Sequence, residues 1–288
     1  MKRKYIYQNN NYSKQLNNKS GFSLIELIVV IVILGVLATG ISTFINLGSQ
    51  IYSEATDRDH VVSSARFAIE RINREIRTAV PNSIRINANT LTGTSAKQCI
   101  EFTPIVLSAI YTEIPVAPDP ASDEVKVIAF DDTLFNTSFS PNLNVGVYIL
   151  NASEFYGGSS NKVFTLLNIP INKPSNEWTL RLDGAETFAE DSPTNRLYFF
   201  NKPISYCVQN SRLTRHENYT RDTNNTPTSS GVLMAENITM HNGNVLIPPF
   251  WLTEATQLRN SMVLIKLAFT SNLESIVFNN EIQVYNVL

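Results

Sequence analysis

A long apolar segment near the N-terminus constrains this chain more than any other feature. Residues 22–47 contain a single charged side chain, Glu26, and are otherwise uncharged and mostly apolar. About 20 such residues cross the hydrocarbon core of a bilayer as a helix, so the segment predicts a transmembrane helix. A carboxylate inside a membrane helix costs about 2.5–3.5 kcal/mol on insertion scales. Glu26 is therefore predicted to be a functional residue that needs a partner.

The residues in front of this segment form a basic leader. Residues 1–21 contain five Lys or Arg residues and no Asp or Glu, and the leader ends at Gly21, directly before Phe22. A secretory signal is cleaved after its apolar region, whereas this polar leader ends before the apolar region begins. Because positive residues stay on the cytoplasmic side, the N-terminus is predicted to be cytoplasmic. The chain beyond about residue 50 is then predicted to lie outside the inner membrane.

A second helical pattern follows the apolar segment. Apolar residues recur at intervals of three, four and seven up to Val80, which predicts an amphipathic helix over residues 48–80. Pro81 is expected to end this helix, because proline resists helix continuation and moves the preceding residue away from helical geometry. The predicted apolar face consists of Ala55, Val62, Ala65, Ile69, Ile72, Ile76 and Val80.

Beyond residue 80 the hydrophobic period changes to two. In the segment 263–269 alternate residues are apolar, which is typical of one buried face of a β-strand. Similar runs, separated by turn signals, occur at 99–103, 125–130, 145–150, 163–167, 196–200, 204–209, 232–240 and 276–285. The predicted fold class is α+β, with a long N-terminal transmembrane and amphipathic helix packed on an antiparallel β-sheet domain. About 200 residues are enough for one core or for two subdomains.

The order of basic leader, Gly21, Phe22, Glu26 and long apolar helix resembles the prepilin signal of type IV pilins and of the pseudopilins of type II secretion. The resemblance implies that a prepilin peptidase cleaves between Gly21 and Phe22 and methylates the new amino group of Phe22. It also implies that Glu26 is the assembly residue, which meets the N-terminal ammonium of a neighbouring subunit. Opposite charges brought together in a low-dielectric medium offset much of each other's desolvation cost.

The same resemblance implies a domain organisation and a location. Residues 1–21 are the leader peptide, residues 22–47 the transmembrane helix, residues 48–80 the stalk helix and residues 81–288 a periplasmic β-rich head. The protein is then expected to cross the bacterial inner membrane once, with its N-terminus in the cytoplasm, and to enter a pilus after assembly.

Several later segments resemble the large minor pilins of the mannose-sensitive haemagglutinin (MSHA) pilus system. The resembling segments are 66–77, 81–85, 99–105, 192–199, 203–207 and 281–287. This resemblance implies a non-catalytic minor pilin that joins other minor pilins and the major pilin, and that initiates or caps assembly of a pilus for surface attachment. Two alternatives remain open. One is a J-type minor pseudopilin of type II secretion, and the other is a pilus-tip adhesin that binds glycan through Trp178, Trp251 and loop tyrosines.

The charge balance argues against a nucleic-acid partner. Removal of the five leader cations from the 23 basic residues leaves 18, against 25 acidic residues, so the mature chain carries a formal charge of about −7. Nucleic-acid binding proteins usually carry a basic patch or stripe, and the sequence shows none.

The chain contains two cysteines, Cys99 and Cys207, each in a strand-like segment. A periplasmic domain experiences an oxidising compartment, which favours a disulfide between them. Two free buried thiols are the alternative at this point.

The sequence predicts no catalytic site, cofactor or metal. It lacks a Gly-x-Ser-x-Gly nucleophile motif, a phosphate-binding glycine loop and a His-Glu-x-x-His zinc motif. His60, His216 and His241 do not have the spacing of metal ligands. An acidic stretch offers a candidate calcium site, but it lacks the ligand order of an EF-hand and contains prolines, so a solvated loop is favoured. Its residues are Asp119, Asp123, Glu124, Asp131 and Asp132.

Overall fold

The computed structural model describes residues 21–90, 96–129, 133, 143–167, 171–172, 177–223, 227, 230–242, 245–256, 259–271 and 274–285. The side chains of residues 88–90, 129, 171–172, 242 and 271 lie outside this description. The fold is α+β, as predicted, with one long N-terminal helix followed by antiparallel sheets. The chain divides into two units, Met1–Ala55 and Thr56–Leu288, which are described separately.

Helix α1 spans Leu24–Ile76 and dominates the first unit. Its first part is long and apolar enough, by length and composition, to cross a membrane. The helix continues through Gly35 and Gly40 without interruption. The hydroxyl of Thr43 donates a hydrogen bond to the Thr39 carbonyl at 3.0 Å, so this polar group has its acceptor within the helix. Such internal pairing is what a polar group needs in a hydrocarbon environment.

Helix α1 ends at Ile76, four residues before the predicted boundary at residue 80. The hydroxyl of Thr78 donates to the Glu75 carbonyl at 2.8 Å. The N–H of Val80 donates across to the Thr103 carbonyl at 2.8 Å. The chain has therefore left helical hydrogen bonding before Pro81, in agreement with the bias that proline imposes on the residue before it.

The other elements formed by the described residues are eighteen strands and one short helix, α2, at Ala152–Tyr156. The strands of the first half are β1 Arg85–Thr90, β2 Lys97–Phe102, β3 Ile105–Glu113, β4 Ser122–Ala129, β5 Asn144–Val147, β6 Val163–Thr165, β7 Ile171–Asn172, β8 Glu177–Glu186 and β9 Arg196–Phe200. The strands of the second half are β10 Ile204–Gln209, β11 Arg212–His216, β12 Val232–Glu236, β13 Ile238–Thr239, β14 His241–Asn242, β15 Val245–Leu246, β16 Phe250–Thr253, β17 Ser261–Ser271 and β18 Glu274–Val284.

Two sheets and the second half of α1 share the first hydrophobic core. One sheet has the order β1-β2-β10-β11-β12, and the other is built around β17, which pairs with β13, β16 and β18. The buried helix residues are Val61, Ala65, Ala68, Ile69, Ile72 and Ile76. Ala55 is exposed and Val62 is half-buried, so the predicted apolar face was wrong at these two positions. The buried stripe begins at Val61 instead, four residues before Ala65.

A second core is formed mainly by side chains of the seven-stranded sheet, whose strand order is β6-β5-β9-β3-β4-β8-β7. Its largest buried side chains include Trp178, Phe188 and Phe199. No residue of α1 belongs to this core. The prediction that a sheet packs on the helix therefore holds for the first core only. The seven-stranded sheet buries its apolar side chains in a core to which the helix does not contribute.

A disulfide joins Cys99 of β2 to Cys207 of β10, with a sulfur–sulfur distance of 2.06 Å. The two residues face each other in the β2–β10 register and are buried. They are 108 residues apart in sequence. In the chain-entropy model, closing a loop of roughly 100 residues stabilises the folded state by about 4.7 kcal/mol. The bond therefore restrains the unfolded chain while it crosslinks two strands that are already neighbours.

A polar cluster ties the C-terminal end of α1 to strands β10 and β11. One Glu75 oxygen accepts hydrogen bonds from the Tyr206 hydroxyl at 2.7 Å and from Arg215 Nε at 3.0 Å. The other oxygen accepts a bond from Arg71 Nε at 3.1 Å. Burial alone raises the pKa of the Glu75 carboxyl, but the bonds from Arg215 and Tyr206 outweigh it and lower the pKa below its ordinary value of 4.5. The ionised carboxylate is thus the form that stabilises the fold.

Glu75→Gln is expected to lower the free energy of unfolding at pH 7 by about 2 kcal/mol, since charged hydrogen bonds contribute about 1.5–3 kcal/mol. A loss of this size corresponds to a fall in Tm of about 4–8 °C. Because the folded pKa is lowered, the advantage of the wild type is fully present above pH 4.5 and disappears as the pH falls through the folded pKa. Denaturation of the full chain in detergent at several pH values measures this difference.

Glu70→Gln is the matched control for this experiment, because Glu70 is exposed on the same helix. It is expected to change the free energy of unfolding by less than about 0.5 kcal/mol. If the difference between wild type and Glu75→Gln were constant from pH 7 to pH 3, the charge of Glu75 would not be the stabilising feature.

Candidate assembly site at the start of the first helix

Ser23 caps the N-terminus of α1. Its hydroxyl accepts a hydrogen bond from the Glu26 N–H at 3.2 Å, and its carbonyl accepts one from the Leu27 N–H at 3.2 Å. Ser23 and Glu26 therefore occupy the N-cap and N3 positions of the helix, and they have the Ser-x-x-Glu spacing that is common at helix starts. Sequence reasoning singled out Glu26 and missed Ser23, although the Ser-x-x-Glu spacing before an apolar run was a readable signal.

Glu26 lies in the first turn of α1 with its side chain exposed. The unpaired N–H groups of a helix N-terminus carry partial positive charge, which favours a carboxylate there by about 0.3–1 kcal/mol. Within residues 21–285, as far as the structure describes them, no Lys or Arg pairs with Glu26. The carboxylate is thus compatible with the helix and still available to a cation from another chain.

Gly21 lies immediately before the capped helix and is exposed. A Cβ atom built on Gly21 meets no atom within 4 Å, and the backbone there does not adopt a positive φ. The fold itself therefore does not require glycine at this position. A requirement for glycine, where one exists, must come from a molecule that handles the chain, such as a peptidase with a narrow site beside the cleaved bond.

The first part of α1 presents an uncovered apolar surface. Phe22 is 78% exposed and Phe44 is 76% exposed, and the aliphatic side chains between them are also exposed. Soluble proteins rarely present contiguous apolar patches of this extent to water. The surface therefore needs to be covered by lipid or by helices of other subunits, in keeping with membrane anchoring.

The two tryptophans that were candidate glycan platforms differ in their exposure. Trp178 is only 1% exposed and belongs to the core of the seven-stranded sheet, so it is not available as a platform in the adhesin alternative. Trp251 of β16 is 36% exposed. Only Trp251 therefore remains available to a molecule outside the fold.

The predicted acidic stretch is partly neutralised by a neighbouring strand. Arg181 of β8 pairs with Asp123 at 2.9 Å and with Glu124 at 3.1 Å. These two carboxylates therefore already have a cationic partner. Asp131 and Asp132 lie outside the described residues.

Residues 16–42 match the prokaryotic N-terminal methylation motif. The match includes Gly21, Phe22, Ser23 and Glu26 together with the first part of α1. It supports a type IV pilin-type or pseudopilin-type protein, and it implies processing by a prepilin peptidase and assembly with other pilins. No curated protein and no solved structure matches the chain.

Proposed function

We propose that this protein is a non-catalytic minor pilin that initiates or caps assembly of an MSHA-type type IV pilus used for surface attachment. The observation that carries the proposal is the start of α1. There, the exposed carboxylate of Glu26 lies in the first turn of an apolar helix whose surface is uncovered. Gly21, which the fold does not require, lies just before this helix.

The proposed sequence of events begins with cleavage between Gly21 and Phe22. Hydrolysis of this peptide bond adds water, releases the leader as a carboxylate and leaves an amino group on Phe22. The same enzyme then transfers a methyl group from a sulfonium methyl donor to this nitrogen, which releases the thioether and a proton. The new terminus lies next to Ser23, which caps the helix. In the membrane, Glu26 of one subunit then pairs with the ammonium of the adjacent subunit, and each charge reduces the desolvation cost of the other.

The disulfide of the head supports a periplasmic location, and the resemblance of its segments supports the assignment as a minor pilin. The described residues of the head form three hydrophobic clusters, and a disulfide joins Cys99 to Cys207. Disulfides persist in oxidising compartments, which agrees with a periplasmic head on a chain anchored in the inner membrane with its N-terminus in the cytoplasm. Resemblance of several head segments to MshO-type minor pilins is the basis for assigning the MSHA system.

Two alternative functions are each supported by a specific observation. The N-terminal methylation motif is common to pilins and pseudopilins, so a J-type minor pseudopilin of type II secretion has the same N-terminal chemistry. Of the two tryptophans, a pilus-tip adhesin has Trp251 as a candidate stacking surface, because Trp178 is buried. Neither alternative is required to explain the start of α1.

Deletion of the gene is expected to remove surface pili and surface attachment, and expression of the full chain from a plasmid should restore both. Affinity purification of the restored chain from membranes should recover other pilins. Secretion of exoproteins should be unchanged. Normal piliation with impaired secretion would instead identify a pseudopilin, whereas normal piliation with a loss of glycan binding would identify an adhesin.

A further inference from the structure

Strand β18 forms an unusually regular edge of the sheet built around β17. It spans 11 residues and pairs with β17 along its whole length, from Ser271↔Glu274 to Ser261↔Val284, without a shift in register. By contrast, the ladders between β1 and β2, β3 and β4, and β11 and β12 each contain a bulge or irregularity. Among the described strands, β18 pairs with β17 alone.

The hydrogen bonds on the far side of β17 show which groups of β18 point outwards. The N–H of Lys266 donates to the Pro249 carbonyl and that of Thr270 to the Asn237 carbonyl, both at 2.8 Å. These bonds lie on the edge of β17 opposite to β18. Because backbone groups alternate in direction along a strand, odd-numbered residues of β17 point towards β18.

The register then shows which residues of β18 direct their backbone groups away from β17. Phe269 of β17 faces Ile276, and Ile265 faces Asn280, so the even-numbered residues of β18 bond to β17. The odd-numbered residues direct their N–H and carbonyl groups away from the sheet. These residues are Ser275, Val277, Asn279, Glu281 and Gln283.

β18 lacks proline, lysine and bulges, which protect many edge strands, and its charged residues are Glu274 and Glu281. Native edges are generally blunted by proline, by lysine or by bulges that interrupt pairing. Residues 274–285 contain no proline, lysine or arginine. The backbone edge of β18 is therefore a continuous template for another strand.

The apolar side of β18 is also incompletely covered. Ile276 and Phe278 point towards the first core but are only half-buried, whereas their cross-strand partners Phe269 and Leu267 are fully buried. A further strand beside β18 covers the flanks of these two side chains. Because burial of apolar surface is favourable, an added strand would gain more than backbone hydrogen bonds.

The acidic side chains of β18 indicate which side chains a partner strand should carry. Glu281 forms no ion pair with any described Lys or Arg. Glu274 lies 4.0 Å from Arg58, and both side chains are 66% exposed. Because Glu281 has no described cationic partner, it favours a strand that brings a Lys or Arg, and it disfavours a second copy of the same acidic strand.

We infer that the outer edge of β18 binds an extended segment of another pilin subunit by strand addition, and that this segment places a Lys or Arg beside Glu281. Strand addition of this kind obtains affinity from main-chain hydrogen bonds and specificity from side chains on alternate positions. The identity of the partner as a pilin rests on the proposed function, whereas the strand-binding edge itself does not.

The test uses the full chain in detergent and a fluorescent peptide of alternating threonine and valine with one central lysine. Wild type should bind this peptide. Asn279→Pro removes an outward N–H and should weaken binding by about tenfold, the equivalent of about 1.4 kcal/mol, without breaking the ladder to β17. Asn279→Thr keeps the N–H and should bind like wild type. Equal binding by the proline and threonine variants would overturn the inference.

A charge exchange tests the same edge without a proline. Glu281→Lys should weaken binding of the lysine peptide and strengthen binding of a peptide that carries glutamate at the same place. If neither peptide discriminates between wild type and Glu281→Lys, the assigned charge complementarity is wrong. This result does not depend on whether Asn279→Pro folds, because Glu281 is exposed.

Crosslinking in cells identifies the partner. A photo-crosslinking residue in place of Gln283 should capture another pilin subunit, whereas the same residue in place of exposed Asp183 in β8 should not. Capture of a second copy of this chain through Gln283 would overturn the choice of partner. Peptide binding that persists while deletion leaves piliation normal would refute the proposed function and leave the strand-binding edge intact.

Discussion

Glu26→Leu is expected to abolish surface pili while leaving membrane insertion intact or improved. Removal of an intramembrane acid relieves a cost of about 2.5–3.5 kcal/mol, so the variant should reach the membrane at least as efficiently as wild type. What it loses is the carboxylate that meets the ammonium of the adjacent subunit. Pilus counts by electron microscopy and co-purification of other pilins should both fall to the level of the deletion strain.

Two further variants separate the ion pair from the support of the helix. Glu26→Gln keeps the shape and hydrogen bonding of the side chain but removes the charge, so it should also assemble poorly. Ser23→Ala removes the cap that accepts the Glu26 N–H and costs about 1 kcal/mol of helix stability, yet it keeps the carboxylate. It should therefore retain most of the piliation. Full piliation with Glu26→Leu would show that the acid is incidental to assembly.

Gly21→Glu is expected to block maturation and leave the leader attached. The fold leaves open space around Gly21, so the added side chain should not disturb the chain itself. It should instead obstruct a peptidase that holds the residue before the cleaved bond in a narrow site. Misplacement of a reacting bond by about 1 Å slows a reaction by about 100-fold, which predicts that uncleaved chain dominates. Mass spectrometry of membrane protein measures the two forms.

Gly158→Glu is the matched control for Gly21→Glu, because a Cβ on Gly158 also meets no atom within 4 Å. This variant should be cleaved and methylated like wild type. Detection of a chain that begins with methylated Phe22 in the Gly21→Glu variant would mean that the cleavage site is not between Gly21 and Phe22.

The sequence by itself determined the local features of this protein. A helix depends on side chains three and four residues apart, so the pattern from Leu24 to Ile76 could be read without a structure, as could the stop near Pro81. The Ser-x-x-Glu cap is equally local. The alternation in 263–269 identified β17 because a strand that buries one face has a period of two.

Only the tertiary structure decided which of these elements share a core. Glu75 and Arg215 form one ion pair although they are 140 residues apart, and no periodic pattern encodes such a distance. The assignment of Trp178 to a second core, and of Val61 rather than Val62 to the helix interface, likewise follows from packing between elements. Strand order also made β18 an edge, because the same alternating sequence is compatible with a central or an outer strand. Local periodicity determines whether a segment forms a helix or a strand. Packing between elements that are distant in sequence determines which residues that segment contacts.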